Sequence, residues 1–332
     1  MNRLLGVIAA LVLLAVSCGS DGSVGAYSLT VLVDGLDGPT QLAITDDAWF
    51  VAHLNGSEGD GSGQVLRLDP DDLRAAPVVV LDGLEKPTGV AVFAGELWVM
   101  EQRRLTRSSL DGSDRRVVVA DMAYNGRSQG TLTVDGDRLL FDTSGTKRFP
   151  PGPGGSPVEI SGALWAVDGD GVITNVAWGF KHAYAHAVSA DGRLWTTEIS
   201  DGSFDGAPAT DELVAVSEGV DHGWPACVGD NRAVEDAGVA DPCTGVPRSQ
   251  AVFGPGATPT GLAVSPWDPS RLFVALWVDA TIVEVDTSGA APAAPVVIAT
   301  ELSRPQHLVV DGLRLLVTDH AAGTIVVIER RE

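Results

Sequence analysis

A seven-residue pattern occurs four times in this chain of 332 residues. It reads Gly38-Pro39-Thr40-Gln41-Leu42-Ala43-Ile44, then Lys86-Pro87-Thr88-Gly89-Val90-Ala91-Val92. It returns as Thr258-Pro259-Thr260-Gly261-Leu262-Ala263-Val264 and as Arg304-Pro305-Gln306-His307-Leu308-Val309-Val310. A turn and a second apolar run follow each copy, at Trp49-Phe50-Val51, Leu97-Trp98-Val99, Leu272-Phe273-Val274 and Leu315-Leu316-Val317. A unit that recurs in this way is one supersecondary piece that cannot bury its own apolar face and must stack on its neighbours. Pro39 to Pro87 is 48 residues, Pro259 to Pro305 is 46, and Pro87 to Pro259 is 172. The long gap holds three steps of about 47 and leaves roughly 31 residues for insertions. Degenerate copies fall at Gly130-Thr131-Leu132-Thr133-Val134 and Ala185-His186-Ala187-Val188, with insertions at 147–157 and 226–253. That makes six repeats.

Each repeat contains four short β-rich runs. Between runs stand Asp-Gly dipeptides such as Asp111-Gly112, Asp135-Gly136, Asp191-Gly192 and Asp311-Gly312. These supply the positive φ that tight hairpins need. No sustained 3.6-residue apolar period exists outside the N-terminus. The expectation is an all-β, six-bladed propeller with four antiparallel strands per blade. The first run, Ser28–Val33 in residues 28–33, resembles the fourth run of other repeats, and the chain ends on a third run, Thr324-Ile325-Val326-Val327-Ile328. The N-terminal strand should therefore complete the last blade and close the ring, leaving no bare sheet edge there.

The N-terminus is set apart. Arg3 precedes an apolar run over residues 4–16, and Ala15-Val16-Ser17 leads into Cys18. The run is shorter than the ~20 residues of a comfortable membrane span and reads as a signal sequence. Cys18 after small residues resembles a bacterial lipobox, which implies cleavage before Cys18 and a diacylglycerol on its sulfur. The parts are then a signal peptide at 1–17, a lipidated Gly/Ser/Asp-rich tether at 18–26, and the propeller at 27–332. The expected location is the outer face of the cytoplasmic membrane. Cys227 and Cys243 are the remaining cysteines. In an exported, loop-rich segment they are expected to form a disulfide.

The formal charge is −22, from 44 acidic and 22 basic residues, with no basic stripe. That disfavours nucleic acid as a partner, and the acidity is expected to keep a surface-tethered protein soluble; a monomer is expected. In a propeller, residues just before the first run and just after the second converge on one mouth. Those positions hold His53, Glu101, Ser144, Glu198, Trp277, Asp319 and His320, with Thr40, Thr88, Arg127, Lys181, His182, Thr258 and His307. Titratable groups gathered at a mouth make it a candidate site for a small, sugar-like ligand. Asp201, Asp205 and Asp211 lie in or beside a Gly-rich loop, where oxygen ligands suit Ca²⁺. There is no Gly-x-Ser-x-Gly elbow and no His-Glu-x-x-His helix.

The segments Trp178-Gly179-Phe180-Lys181-His182, Asp191-Gly192-Arg193-Leu194-Trp195, Asp211-Glu212-Leu213 and His222-Gly223-Trp224-Pro225-Ala226-Cys227 carry a family resemblance. They are similar to motifs of the glucose/sorbosone dehydrogenases, propeller enzymes that use pyrroloquinoline quinone (PQQ). The resemblance implies sugar or polyol oxidation with PQQ and Ca²⁺. In that family a histidine base precedes a Gly-x-Leu run. Here the segment is Arg127-Ser128-Gln129-Gly130-Thr131-Leu132, and arginine cannot serve as the base because it stays protonated. The resemblance then leaves His182 as the substitute base, with Lys181 and Arg127 as quinone contacts. The blade-five segments Thr258-Pro259-Thr260 and Leu276-Trp277-Val278 carry no cation. Two other readings stay open: a non-catalytic binding propeller on the same scaffold, and a Ca²⁺-dependent lactonase of six-bladed type.

Overall fold

The computed structural model describes residues 26–56, 58–146, 151–200, 203–204, 207–234, 238 and 240–331. Six four-stranded antiparallel sheets stand around a central channel. Their inner strands are Pro39–Ile44, Gly89–Phe93, Thr133–Asp135, Ala183–Val188, Pro259–Val264 and Pro305–Asp311. Their second strands are Trp49–His53, Glu96–Met100, Arg138–Thr143, Leu194–Glu198, Arg271–Leu276 and Arg314–Asp319. Blade six is completed by Tyr27–Val33, which pairs antiparallel with Thr324–Arg330, so the N-terminal strand closes the ring as expected. Tyr27 also packs on Trp267 and Phe273 of blade five, with ring centroids 5.4 and 6.2 Å away.

The core is divided into seams, one between each pair of neighbouring blades. Phe50, Val65 and Leu84 of blade one meet Val90, Leu97 and Val99 of blade two. Comparable seams join blades two and three, three and four, four and five, and five and six. A sixth, with Leu42, Trp49 and Leu66 against Leu316 and Val327, joins blade six to blade one. Alternation along each strand sends side chains to both faces, and both faces are covered. The strands therefore read as near-continuous apolar runs.

The repeated Pro-Thr pair has a structural purpose. Thr40 Oγ1 donates to the carbonyl of Pro87 in the next blade at 2.9 Å, and Thr88 Oγ1 to Gly130 at 3.1 Å. Thr131 Oγ1 reaches Tyr184 O at 3.3 Å, and Thr260 Oγ1 reaches Pro305 O at 3.0 Å. Blades four and six lack the inner threonine. Second-strand residues replace it: Thr197 Oγ1 bonds Pro259 O at 2.8 Å, and Thr318 Oγ1 bonds Thr40 O at 2.6 Å. Each blade thus donates one hydroxyl to the next all the way round. These hydroxyls satisfy carbonyls that line a channel rather than a sheet.

Blade three departs from the pattern. Its inner strand is only Thr133–Asp135. The backbone of Leu132, just before it, is held instead by Gln41 from blade one. Gln41 Nε2 donates to Leu132 O at 2.6 Å, while Gln41 Oε1 accepts from Leu132 N at 2.8 Å and Val90 N at 3.1 Å. One amide side chain ties three blades together across the channel. Opposite it, Gln306 Nε2 donates to Tyr184 Oη at 2.5 Å. These two crossings form a waist that divides the channel into an upper mouth and an underside.

Two excursions leave the blades. Residues 203–204 and 207–208 form a small hairpin between the second and third strands of blade four. The longer one follows Glu212–Ala215 and is bridged by Cys227 and Cys243, whose sulfurs are bonded. No described helix is long and apolar enough to cross a membrane. Cys18 and the segments at 1–25 lie outside the described residues.

Candidate functional site

The mouth holds a cavity of about 550 Å³. Its walls come from the starts of inner strands and the ends of second strands, as the chain direction requires. Thr40, Thr88, Tyr184, Thr260 and Gln306 form the inner wall, and Trp277 and His320 stand at the side. Among the residues singled out from sequence, His182, Arg127 and His320 line this cavity. Lys181 sits beside it, with its ammonium 6.0 Å from the Trp224 ring. Glu101, Glu198, Asp319 and Asp211 do not line it. His307 lies below the waist and lines the underside of the channel.

The carboxylates form a repeat of their own. Each stands at or just after the end of a second strand and accepts from the backbone of the loop that enters the inner strand. Glu101 Oε2 accepts from Glu85 N at 2.9 Å, and Glu198 Oε1 from Lys181 N at 2.7 Å. Asp319 takes Ser303 N at 2.7 Å and Arg304 N at 2.8 Å. Asp142, not singled out from sequence, takes Gly130 N at 2.6 Å. Charge-assisted bonds of this type pin loops whose N–H groups have no strand partner. Glu101 is further neutralised by Arg104 and Arg115. Asp211 Oδ1 accepts from Ser200 N at 2.8 Å and its Oδ2 from Thr258 N at 2.7 Å, which locks blade four to the entry of blade five. Asp201 and Asp205 lie outside the described residues.

Asp142 differs from the others in what its second oxygen meets. Oδ2 lies 3.3 Å from Nε2 of His182, which comes from the next blade. Asp142 is fully buried, and that burial holds its carboxyl well above the usual range, against the lowering effect of the Gly130 N–H. His182 is 4% exposed and opens on the cavity. Its ring is set edge-on to Tyr184 at 5.0 Å. Burial also raises the Tyr184 hydroxyl, which keeps it protonated. An imidazole set against a buried carboxyl and open to a ligand cavity is placed to accept a proton from a bound ligand.

The opposite wall is aromatic and cationic. Trp277 of blade five lies 4.8 Å from the His320 ring and carries the Arg304 guanidinium at 5.7 Å. Arg304 itself is not among the residues that line the cavity. Lys86 adds a further charge, held at 2.6 Å by Glu58 and at 2.6 Å by the Arg127 carbonyl. The chain has three lysines, and Lys86 and Lys181 both stand at this mouth of a molecule with net charge −22. Lys86 and Arg304 each precede the repeated proline, a position readable from sequence once the mouth is defined. Lys86 takes a left-handed φ of 47° and Thr258, at the equivalent place, one of 60°. For a β-branched residue that is a genuine outlier, of the kind found where a site over-determines the backbone.

Glu198 and Glu212 sit opposite each other on paired strands. Burial, then the charge of Glu212, holds Glu198 well above the usual range, and burial raises Glu212 as well. Like charges placed this way disfavour double ionisation. They border a small space near His222 and Cys227, separate from the mouth. Among the described residues, no three His, Cys, Asp or Glu side chains converge to hold a metal ion.

No protein-family model matches the chain. No curated protein sequence matches it either. Solved structures do. The PQQ-bound aldose sugar dehydrogenase of Streptomyces coelicolor superposes with a TM-score of 0.69 at 16% identity, over 92% of this chain and 98% of that one. The fold is that of the PQQ-dependent sugar dehydrogenase propellers. The calcium structure of a Trichoderma reesei enzyme of carbohydrate-active family AA12 gives 0.75 at 17% identity, over 93% and 96%. A Xanthomonas campestris gluconolactonase gives 0.59 at 19%, over 94% and 92%. The dehydrogenase propellers thus superpose more closely than this lactonase on a chain of nearly equal extent.

Proposed function

We propose that the mouth oxidises a hydroxyl carbon of a sugar or polyol with PQQ, and that His182 is the base. The observation that carries this reading is the 3.3 Å contact between His182 Nε2 and the buried Asp142 Oδ2 at the cavity wall. PQQ is a flat tricarboxylate. Lys86 and Arg127 in the cavity, Arg304 over Trp277, and Lys181 at the rim supply positive and aromatic surface of the type it requires. When bound, it accepts the hydride equivalent from the substrate carbon. The chain's own part is the proton. The imidazole of His182 takes it from the substrate hydroxyl, and Asp142, whose burial favours the neutral carboxyl, sets the position of the ring. Tyr184 and Gln306 close the floor and exclude bulk water beneath the reacting group. Arg127 remains a guanidinium and serves as a contact for negative charge. No residue among those described is assigned as a Ca²⁺ ligand, and no step is assigned to Ca²⁺.

One observation favours a second reading. Lys86 is already neutralised by Glu58 and a carbonyl at 2.6 Å, so the same wall suits a neutral sugar-like ligand without a quinone. The test is purification of residues 19–332, addition of PQQ with Ca²⁺, and dye reduction across a panel of aldoses beside thermal stabilisation. Stabilisation by PQQ with turnover supports the dehydrogenase. Stabilisation by a sugar alone, without turnover, supports the binder and overturns the enzyme reading. We also infer export with anchoring through Cys18. The Cys227–Cys243 disulfide fits an oxidising compartment, and Cys18→Ser should release the protein from membranes.

A further inference from the structure

We infer that the underside of the channel is a second ligand site, which takes a small apolar molecule bearing a hydroxyl group. The inference does not depend on what the mouth does. Below the waist lies a cavity of about 500 Å³, within the range of ordinary small-molecule sites. Its rim is a collar of β-branched residues, one from each blade: Ile44, Val92, Val134, Val188, Val264 and Val310. In four blades the collar residue is the last of the repeated heptapeptide. All six keep part of their surface exposed, and Val134 is 45% exposed. Among the described lining residues there is no charged side chain. An ion or a phosphate would find no counter-charge here, while an apolar body would cover the collar and gain by its burial.

The floor adds a directional element. His186 and His307 line it, are 4% and 8% exposed, and each has an Nδ1 with no hydrogen-bond partner. His186 Nε2 lies 2.8 Å from the carbonyl of Ala183. That carbonyl fixes the hydrogen on Nε2 and leaves Nδ1 as a bare acceptor. Burial lowers the pKa of His186 to about 4 and that of His307 to about 3, so both rings are neutral at physiological pH. Buried polar atoms without partners are uncommon. His186 Nδ1 has almost no accessible surface of its own, so a ligand hydroxyl donates to it only as the apolar part of the ligand wedges into the collar. The Gln41 and Tyr184–Gln306 crossings separate this site from the mouth.

The probe is p-cresol, with toluene as the matched molecule lacking the hydroxyl, titrated calorimetrically into residues 19–332. The expected result is one saturable site for p-cresol, with toluene about tenfold weaker for want of one buried hydrogen bond. His186→Phe should bring p-cresol down to the toluene level. Val264→Trp, which fills the collar from a partly exposed position, should abolish binding without changing the melting temperature. Mouth ligands should not displace p-cresol. Absence of saturable binding, equal affinity for the two probes, or p-cresol binding that survives Val264→Trp would each overturn the inference. If His186→Phe fails to fold, the collar variant and the probe pair still decide it.

Discussion

The ring of threonine hydroxyls makes a quantitative prediction about what holds the blades in a circle. Thr88, Thr260 and Thr318 are each 3% exposed or less and donate across three seams, between blades two and three, five and six, and six and one. Replacement by valine keeps the shape and removes the hydroxyl. Each loses one buried hydrogen bond, about 1 kcal/mol net. The seams share no partners, so the triple variant should lose about 3 kcal/mol by addition, a fall in melting temperature on the order of 5–10 °C. Thr131→Val is the internal control. Its partner carbonyl, Tyr184 O, also accepts the Thr131 N–H at 2.8 Å and stays satisfied. That substitution should cost less than about 0.5 kcal/mol. Urea and thermal unfolding of the three single variants, the triple variant and Thr131→Val measure this directly. An unchanged midpoint in the triple variant, or a Thr131→Val as costly as the others, would refute the hydroxyl ring as a source of stability.

Two further outcomes follow from the same structure. Deletion of residues 28–33 strips the partner from Thr324–Arg330 and removes most of blade six's outer strand; the truncated chain should aggregate or fail to fold, and an unchanged melting curve would contradict ring closure. His307, with its pKa lowered to about 3 by burial, resists a proton that the unfolded chain takes up near pH 6.5. Its contribution is complete above that pH and is lost as pH falls, so His307→Gln should gain about 2 kcal/mol on the wild type at pH 5 and nothing at pH 8. Asp142 and Glu198 act in the opposite sense, since their raised pKa values favour the folded state as pH falls.

The six-bladed ring and its closure were legible because the inner strand must satisfy the same neighbours in every blade. That demand writes Pro-Thr and an apolar run at near-constant spacing. The substitutes Thr197 and Thr318 were not legible, because they restore the same hydrogen bond from a different strand and leave no local pattern. At the mouth, His182, Arg127 and His320 line one cavity, and chain direction alone had placed them at that end of the blades. It could not distinguish side chains that face the cavity from those turned toward backbone, which is why Glu101, Glu198 and Asp319 stood beside them in the sequence. Asp142 was hidden for a related reason. Asp142 stands three residues after the start of its second run at Leu139, where Glu101, Glu198 and Asp319 stand four after theirs, and only the fold shows that it meets a histidine from the next blade. Arg304 belongs to blade six by sequence and to the wall of blade five by position.

The proposal for the mouth stands on the pairing of His182 with Asp142. Its most direct test is the turnover number of His182→Gln and Asp142→Asn in the PQQ-reconstituted protein, measured beside the affinity for PQQ. A general base contributes on the order of 10²–10⁴-fold. His182→Gln should therefore lose at least about a hundredfold in kcat, with Asp142→Asn intermediate and PQQ affinity within a few-fold of wild type in both. A wild-type protein that turns over and a His182→Gln variant that matches it would contradict the assignment.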